Sequence, residues 1–327
     1  METLEEAEIC FPQLNTTCRE TMPPRSEAML IFSLQSIIAI LTVLLNLLVI
    51  ISISHFRQLH TNTNLLVLSL AVTDFLVGLL QMPSEIILYQ GCWLLGDFIC
   101  IVNFFLSYLL VSVSVGNLVL ISVDRYVAIC DPMFYYTKVT LSRVQICICL
   151  CWVFSAVHSS WILRDFIKEQ DSYNLCYGDC VVAVTYAQVA VDFVVTFLGP
   201  FLVITLLYIR VFVVAVSQAR VMRSQIEAFT LQHSKTEKPK KSEIKAARTL
   251  GIVIFVFLLS SSPYYFFSFA AEINSISGTS VTVWLLYCNS CLNPLIYAFF
   301  YPWFRKSIKH IVTLQILKPE SREANIL

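Results

Sequence analysis

Residues 100–132 read CIVNFFLSYLLVSVSVGNLVLISVDRYVAICDP, and this stretch decides how the rest of the chain must fold. No charged residue occurs from 101 to 123. A helix over that run is long enough to cross the ~30 Å hydrocarbon core of a bilayer. Cys100 opens the run and Asp124, Arg125 and Tyr126 close it. Ser107, Ser114 and Arg125 recur at spacings that put them on one helical face, with Asn103 nearby. A spanning helix with a single polar stripe turns that stripe toward protein, not lipid. The stretch is therefore expected to be the central helix of a bundle, tethered at Cys100 and polar at its far end.

The composition agrees. Of 327 residues, 57% are hydrophobic and 13% charged, where a soluble domain carries about a quarter charged. The chain is expected to be one membrane bundle rather than two soluble domains. Eight glycines leave little for phosphate-cradling loops, and no Walker, dinucleotide or HExxH pattern occurs. The CYGDC run at 176–180 has the wrong spacing for a zinc knuckle. An enzyme is not expected, and neither is a nucleic-acid partner.

Outward from the central helix, uncharged runs lie at 28–54, 65–88, 144–163, 181–209, 249–271 and 276–300. Asp74 interrupts the second run and Glu85 sits near its end. Asp192 and Pro200 lie in the fifth, Pro263 in the sixth and Pro294 in the seventh. The plan is an outer tail at 1–27, a seven-helix bundle at 28–300 and a third inner loop at about 214–245. An interfacial helix and tail follow at 301–327. The tail at 1–27 is acidic, has no apolar run and so no cleavable signal peptide, and carries a glycosylation sequon at Asn15. FYPWFRKSIKHIV is amphipathic, which suits contact with membrane lipid.

Basic residues set the orientation. Arg57, Lys138, Arg143, the run at 210–248, Arg305, Lys306 and Lys309 follow the odd-numbered spans, against Arg19, Arg25, Arg164 and Lys168 on the other side. The first group is expected inside, with the amino terminus extracellular. Cys10, Cys18, Cys92, Cys100, Cys176 and Cys180 then face the oxidising side. Six cysteines allow 15 pairings, and the spacing does not choose among them.

Specific residues separate a receptor from a transporter or pump. Asn46 in LLNLLVI, Asp74 in SLAVTDF, Asp124-Arg125-Tyr126, Trp152, Pro200, Pro263 and Asn293-Pro294-Leu295-Ile296-Tyr297 occur in helix order. Together, across 28–312, they resemble the rhodopsin-like G-protein-coupled receptors. CWLLGDFIC, DRYVAICDP, NSCLNPLIYAFFYPWFRK and the paired outer cysteines look like trace amine-associated receptors. The resemblance implies a Cys100–Cys180 bridge. It also implies a stapled amino-terminal tail: Cys18 with Cys176 and Cys10 with Cys92, or alternatively Cys10 with Cys176 and Cys18 with Cys92.

Asp192 is the sharpest feature read from the residues themselves. A carboxylate inside a span costs at least ~2.5 kcal/mol, so it should face a cavity and have a partner. It lies about 12 Å outward of Pro200 along a helix, a depth that suits a ligand pocket. The competing reading pairs it with a Ser, Tyr or water and gives it no ligand; the basic residues at that level are read as loop residues only. Amine receptors of the family place an aspartate eighteen residues before the Asp-Arg-Tyr arginine, where this chain has Ser107. The resemblance is thus to a fish-type subgroup that moved the anchor, which implies amine binding with the ligand reversed. Tyr108, Tyr264, Tyr265, Phe266 and Tyr287 would offer ring faces to a cation, with Val111 and Ser268 completing the lining. Glu85 is either a solvated edge residue or a second anchor for a diamine or polyamine.

The resemblance implies three further assignments. Asp74, Ser114, Asn289, Ser290 and Asn293 match the family's sodium site, an allosteric ion being the one cofactor admitted; a water-filled polar network competes with that reading. Arg125 and Glu243 would form a resting ion pair, broken when the sixth helix moves, with Tyr208 and Tyr297 holding Arg125 afterwards. Phe257 is retained, but Ser261 stands where the family has a tryptophan. The expected whole is a plasma-membrane olfactory amine receptor coupled to a heterotrimeric, stimulatory G protein. The rival is a seven-helix receptor for a non-amine ligand, or an orphan with atypical signalling.

Overall fold

The structure is a computed structural model that describes residues 10, 13, 25–89, 92–168, 178, 180–182, 184–229, 239–270, 276–318 and 321–326. At 25–28, 89, 168, 215–216, 218–229, 239–250, 269–270 and 276–280 it describes backbone alone. Among the described residues there is no strand, and seven helices are long and apolar enough to cross a membrane. The first spanning helix is Arg25–His55. The second runs from Asn62 to Tyr89, with a π-helical turn over Val77–Gln81. The third is Gly96–Cys130 and the fourth Leu141–Ile162. The fifth starts at Tyr186, has a π-turn at Val194–Leu198 and continues through Gly199–Phe229. Pro239–Ala270 and Ile276–Phe300 are the sixth and seventh, followed by an amphipathic helix at Pro302–Val312.

Helix starts carry local signals. Thr61 and Thr140 each accept from the backbone N–H three residues on, satisfying one of the donors a helix start leaves open. Thr185 and Gln188 form a reciprocal capping box. That box starts the fifth helix at Tyr186 rather than at 181, because Val181 and Val182 belong to the segment tied down by Cys180. Both π-turns lie just before a proline, Pro83 and Pro200. A proline removes one ladder hydrogen bond and crowds the carbonyl four residues back, and a widened turn relieves both.

The expected inner segment at about 214–245 is helical at both ends. The fifth helix reaches Phe229 and the sixth begins at Pro239, leaving 230–238 between them. No glycine or proline occurs from 201 to 238, so nothing stops the helix once it leaves the apolar run. Pro239 then sits at the first position of the next helix, where its missing N–H costs least.

Most buried apolar side chains lie at the end of the bundle that carries Arg125. There Val49, Phe56, Leu118, Ile254, Phe257 and Tyr297 pack with Trp303 and Phe304 of the amphipathic helix. The tail also folds back there. Ile326 is fully buried in the same cluster, Ser321 Oγ lies 2.9 Å from His55 Nε2, and Arg57 pairs with Glu323 at 3.1 Å.

The opposite end is cross-linked. Cys10 bonds Cys92, and Cys100 bonds Cys180. The first bond excludes the arrangement pairing Cys10 with Cys176. Cys18, Cys176 and the Asn15 sequon lie outside the described residues.

The third and fourth helices touch at Gly116, where an added Cβ would lie 2.3 Å from Cys151 Sγ. Gly116→Ala is therefore expected to overpack the seam, at about 1–3 kcal/mol, and to lower surface expression. The double variant with Cys151→Ala should recover it; failure to recover would place the defect elsewhere.

Candidate functional site

Between the helices at the disulfide end lies a cavity of about 130 Å³, lined by side chains from the second, third, fifth, sixth and seventh spans and by Val182. An engineered apolar cavity of about 150 Å³ holds benzene, so the space fits one ring or a short alkyl chain. Val182 reaches the cavity because the Cys100–Cys180 bridge pins its segment to the third helix.

Asp192, Ser107, Tyr108, Val111, Tyr264, Tyr265, Tyr287 and Glu85 all line this cavity. Glu85 is half-buried on the wall, not a solvated edge residue. Two expected residues are absent. Ser268 turns its hydroxyl back to the Tyr264 carbonyl at 2.8 Å and does not line the space. Phe266 is 69% exposed on the lipid-facing side, because its neighbours Tyr264 and Tyr265 already take the inward positions. Phe104, Val283 and Leu286 complete the wall, apolar residues with no signal in the sequence beyond their place on a buried face.

Asp192 sits two residues before the π-turn and is buried. Thr196 donates to its backbone carbonyl at 2.6 Å and lies 3.3 Å from Oδ1. The same threonine hydroxyl is 2.7 Å from the Tyr265 hydroxyl, so a short chain of contacts links the carboxylate to the sixth helix. A basic residue also stands at this level on a helix, contrary to expectation: His158 Nε2 of the fourth span lies 3.7 Å from Asp192 Oδ1. On the third helix, Ser107 Oγ is 2.6 Å from the Tyr287 hydroxyl, so the position the family gives to an acid is closed by a neutral contact.

Ser261, in place of the usual tryptophan, is fully buried, and its hydroxyl has no hydrogen-bond partner among the described residues. The side chain is too small to reach from the cavity to Phe257. Tyr265 is the inward aromatic that contacts the fifth helix at this level, against Phe193 and Phe197.

Midway down, Asn293 Nδ2 donates to Asp74 Oδ2 at 2.8 Å, and Asn46 Nδ2 donates to the Ser290 carbonyl at 2.9 Å. Asp74 Oδ1, Asn289 Oδ1 and Asn293 Oδ1 are buried with no protein hydrogen bond among the described residues. Orphaned oxygens around one carboxylate are the donor set a hard cation takes. Ser114 instead reaches Thr73 Oγ1 at 3.3 Å.

At the far end, Arg125 folds onto its neighbour Asp124 at 2.6 Å. Asp124 also accepts from Thr63 at 2.8 Å and Tyr135 at 3.0 Å, and Arg125 donates to Thr63. Burial first, then the Asp124 carboxylate, push the Tyr135 phenol above its ordinary value, so it remains a donor. Tyr126 packs against Ile129 and Val211. The hydroxyls of Tyr208 and Tyr297 are buried without a partner among the described residues. Glu243 lies on the sixth helix, but its side chain is outside what the structure describes.

The family model described as "7 transmembrane receptor (rhodopsin family)" matches residues 45–297. Trace amine-associated receptor 9 of Rattus norvegicus is 40% identical over 331 residues, covering 98% of this chain and 97% of that protein. Trace amine-associated receptor 7e of Mus musculus is 39% identical over 331 residues, covering 98% and 92%.

Proposed function

This chain belongs to the rhodopsin-like G-protein-coupled receptors and, within them, to the trace amine-associated receptors; from that premise we propose that it is an olfactory receptor for small amines, with the ligand's ammonium group anchored by Asp192. One observation carries the reading: a buried carboxylate on the wall of a ring-sized cavity whose other polar lining is mostly tyrosine. A desolvated ammonium needs a counter-charge, and the faces of Tyr108, Tyr264, Tyr265 and Tyr287 add cation–π attraction. The anchor lies on the fifth helix while Ser107 is engaged with Tyr287, so the ligand's charged end points toward the fifth helix rather than the third.

Agonism follows if the ligand binds one state of the bundle better than the other. An ammonium drawing on Asp192 pulls on Thr196 and Tyr265, and so on the sixth helix beside Pro263. Outward movement of that helix would carry Glu243 away from Arg125. Tyr208 and Tyr297, with hydroxyls to spare, would receive it, opening a surface for a stimulatory heterotrimeric G protein. A sodium ion held by Asp74, Asn289, Asn293 and Ser290 would supply a positive charge that stabilises the resting network. The receptor sits in the plasma membrane. The amino terminus is read as extracellular, with the disulfides on that side and Arg57, Lys138, Arg143 and Arg305 on the other.

The test is a cAMP dose–response panel on the full-length receptor with n-pentylamine, 1,6-diaminohexane and 1-pentanol. Responses to the amines but not the alcohol are expected. Glu85→Gln should weaken the diamine several-fold and leave n-pentylamine unchanged, since only a second ammonium reaches that wall. Equal losses for both would make Glu85 structural. The closed Ser107–Tyr287 contact favours a second reading, a neutral ligand. A response to 1-pentanol that survives Asp192→Asn would establish that reading instead.

A further inference from the structure

Asp192 has cavity on one side and His158 on the other. His158 lies on the fourth helix, outside the cavity lining, and is only 7% exposed. Phe154 stacks on its ring, and neither ring nitrogen has a hydrogen-bond partner among the described residues. Nε2 is 3.7 Å from Asp192 Oδ1, within ion-pair reach and just beyond a hydrogen bond. A buried imidazole with two idle nitrogens would be costly as mere filler, since an unmade hydrogen bond in a dry site is a net loss. Its position makes sense if the partner is the carboxylate.

We propose that His158 determines which charge the binding site presents: as neutral imidazole it supports Asp192 and leaves a net negative charge for the ligand, and as imidazolium it cancels that charge and excludes the ammonium. This rests on Asp192 being the amine anchor. It also reverses the simplest expectation about pH. Acidification increases the fraction of any amine that is charged, which alone would favour binding; here it removes the charge that binding needs. The sign is fixed by electrostatics: a protonated His158 beside an ionised Asp192 is a neutral pair, and a second cation gains no net attraction from it.

Few other ionisable groups face this pair. From the third helix Tyr108 lies near the carboxylate, and from the sixth Tyr264 and Tyr265. Phenols stay neutral over the range in which histidine titrates. Glu85 on the second helix lines the same cavity. In the short helix after the fourth span, Arg164 is committed to Asp165 at 3.3 Å and to the face of Trp161, and Gln188 of the fifth span holds Asp165 at 2.9 Å. Glu85 and Asp192 itself are thus the remaining sources of pH dependence, and both persist when His158 is replaced.

The experiment has two arms on the full-length receptor. In the first, ligand-free receptor in nanodiscs carries labelled histidine, and the His158 signal is assigned by its loss in His158→Gln. Asp192→Asn should lower the pH at which that signal titrates, because a carboxylate favours the imidazolium. An unchanged midpoint overturns the pair. In the second arm, potency of the quaternary ion trimethylpentylammonium, whose charge does not vary, is measured between about pH 7.5 and 5.5, either side of the usual histidine range. Wild type should lose potency about tenfold or more across that interval. His158→Gln, which keeps a neutral N–H donor, should respond like wild type at the high end and lose several-fold less potency than wild type on acidification, keeping only the dependence that Glu85 and Asp192 contribute. His158→Arg should be unresponsive throughout despite normal surface display. Parallel pH curves for wild type and His158→Gln, with both still abolished by Asp192→Asn, would sink this proposal while leaving the amine anchor standing. Potency that ignores Asp192→Asn would instead remove the anchor reading, whatever the histidine does.

Discussion

Asp192→Asn is expected to reduce amine potency at least roughly 30-fold at matched surface display. The substitution keeps the side-chain shape and the Thr196 contact but removes the charge. Taking one partner from a desolvated charge pair costs ~2–5 kcal/mol, and every 1.4 kcal/mol is about tenfold in affinity. Ser107→Asp should act in the opposite direction for some ligands. It places a second carboxylate on the third helix, so diamines that bridge the cavity should gain over monoamines. A dose–response series on both variants checks this. Unchanged potency of Asp192→Asn would make the carboxylate structural.

The second large effect concerns the cavity's cover. Cys180→Ser should abolish the amine response and most surface display. The Cys100–Cys180 bridge closes a loop between residues 80 apart, which the chain-entropy model values at about 4.5 kcal/mol. It also holds Val182 over the cavity, so even correctly delivered receptor would have an open, wetter site. Surface immunostaining separates delivery from response. Normal potency in Cys180→Ser, with the wild-type bridge verified in non-reduced peptides, would show that the cover is dispensable.

Much of this was legible in the chain because membrane helices leave strong signals. The polar stripe of the third helix, with Ser107, Ser114 and Arg125, points inward as its spacing requires: Ser107 reaches Tyr287, Ser114 reaches Thr73, and Arg125 is folded on Asp124. Asp192 lines the cavity for the same reason, since no uncompensated carboxylate is stable against lipid. What escaped was local. The π-turns leave no mark in hydropathy, although each shifts the phase of its helix just where Pro83 and Pro200 demand it. His158 in CWVFSAVHSSW looks like one more side chain of an apolar helix, and only the folded bundle brings it within 3.7 Å of Asp192. Around Pro263, the four candidates Tyr264, Tyr265, Phe266 and Ser268 cannot all face inward; three dimensions select Tyr264 and Tyr265 and send Phe266 to the surface. The helical ends of the inner segment at about 214–245 lie beyond the apolar runs that marked the spans, and charged residues form helix readily once outside the bilayer.

The central claim is that Asp192 recognises charge. It is tested most directly by comparing n-pentylamine with 1-pentanol, and each with trimethylpentylammonium, on wild type and Asp192→Asn at the same pH and surface density. Wild type should prefer both cations to the alcohol by at least roughly 30-fold, and that preference should collapse toward unity in the variant. A charge preference that survives unaltered in Asp192→Asn would contradict the account and place the ammonium elsewhere in the cavity.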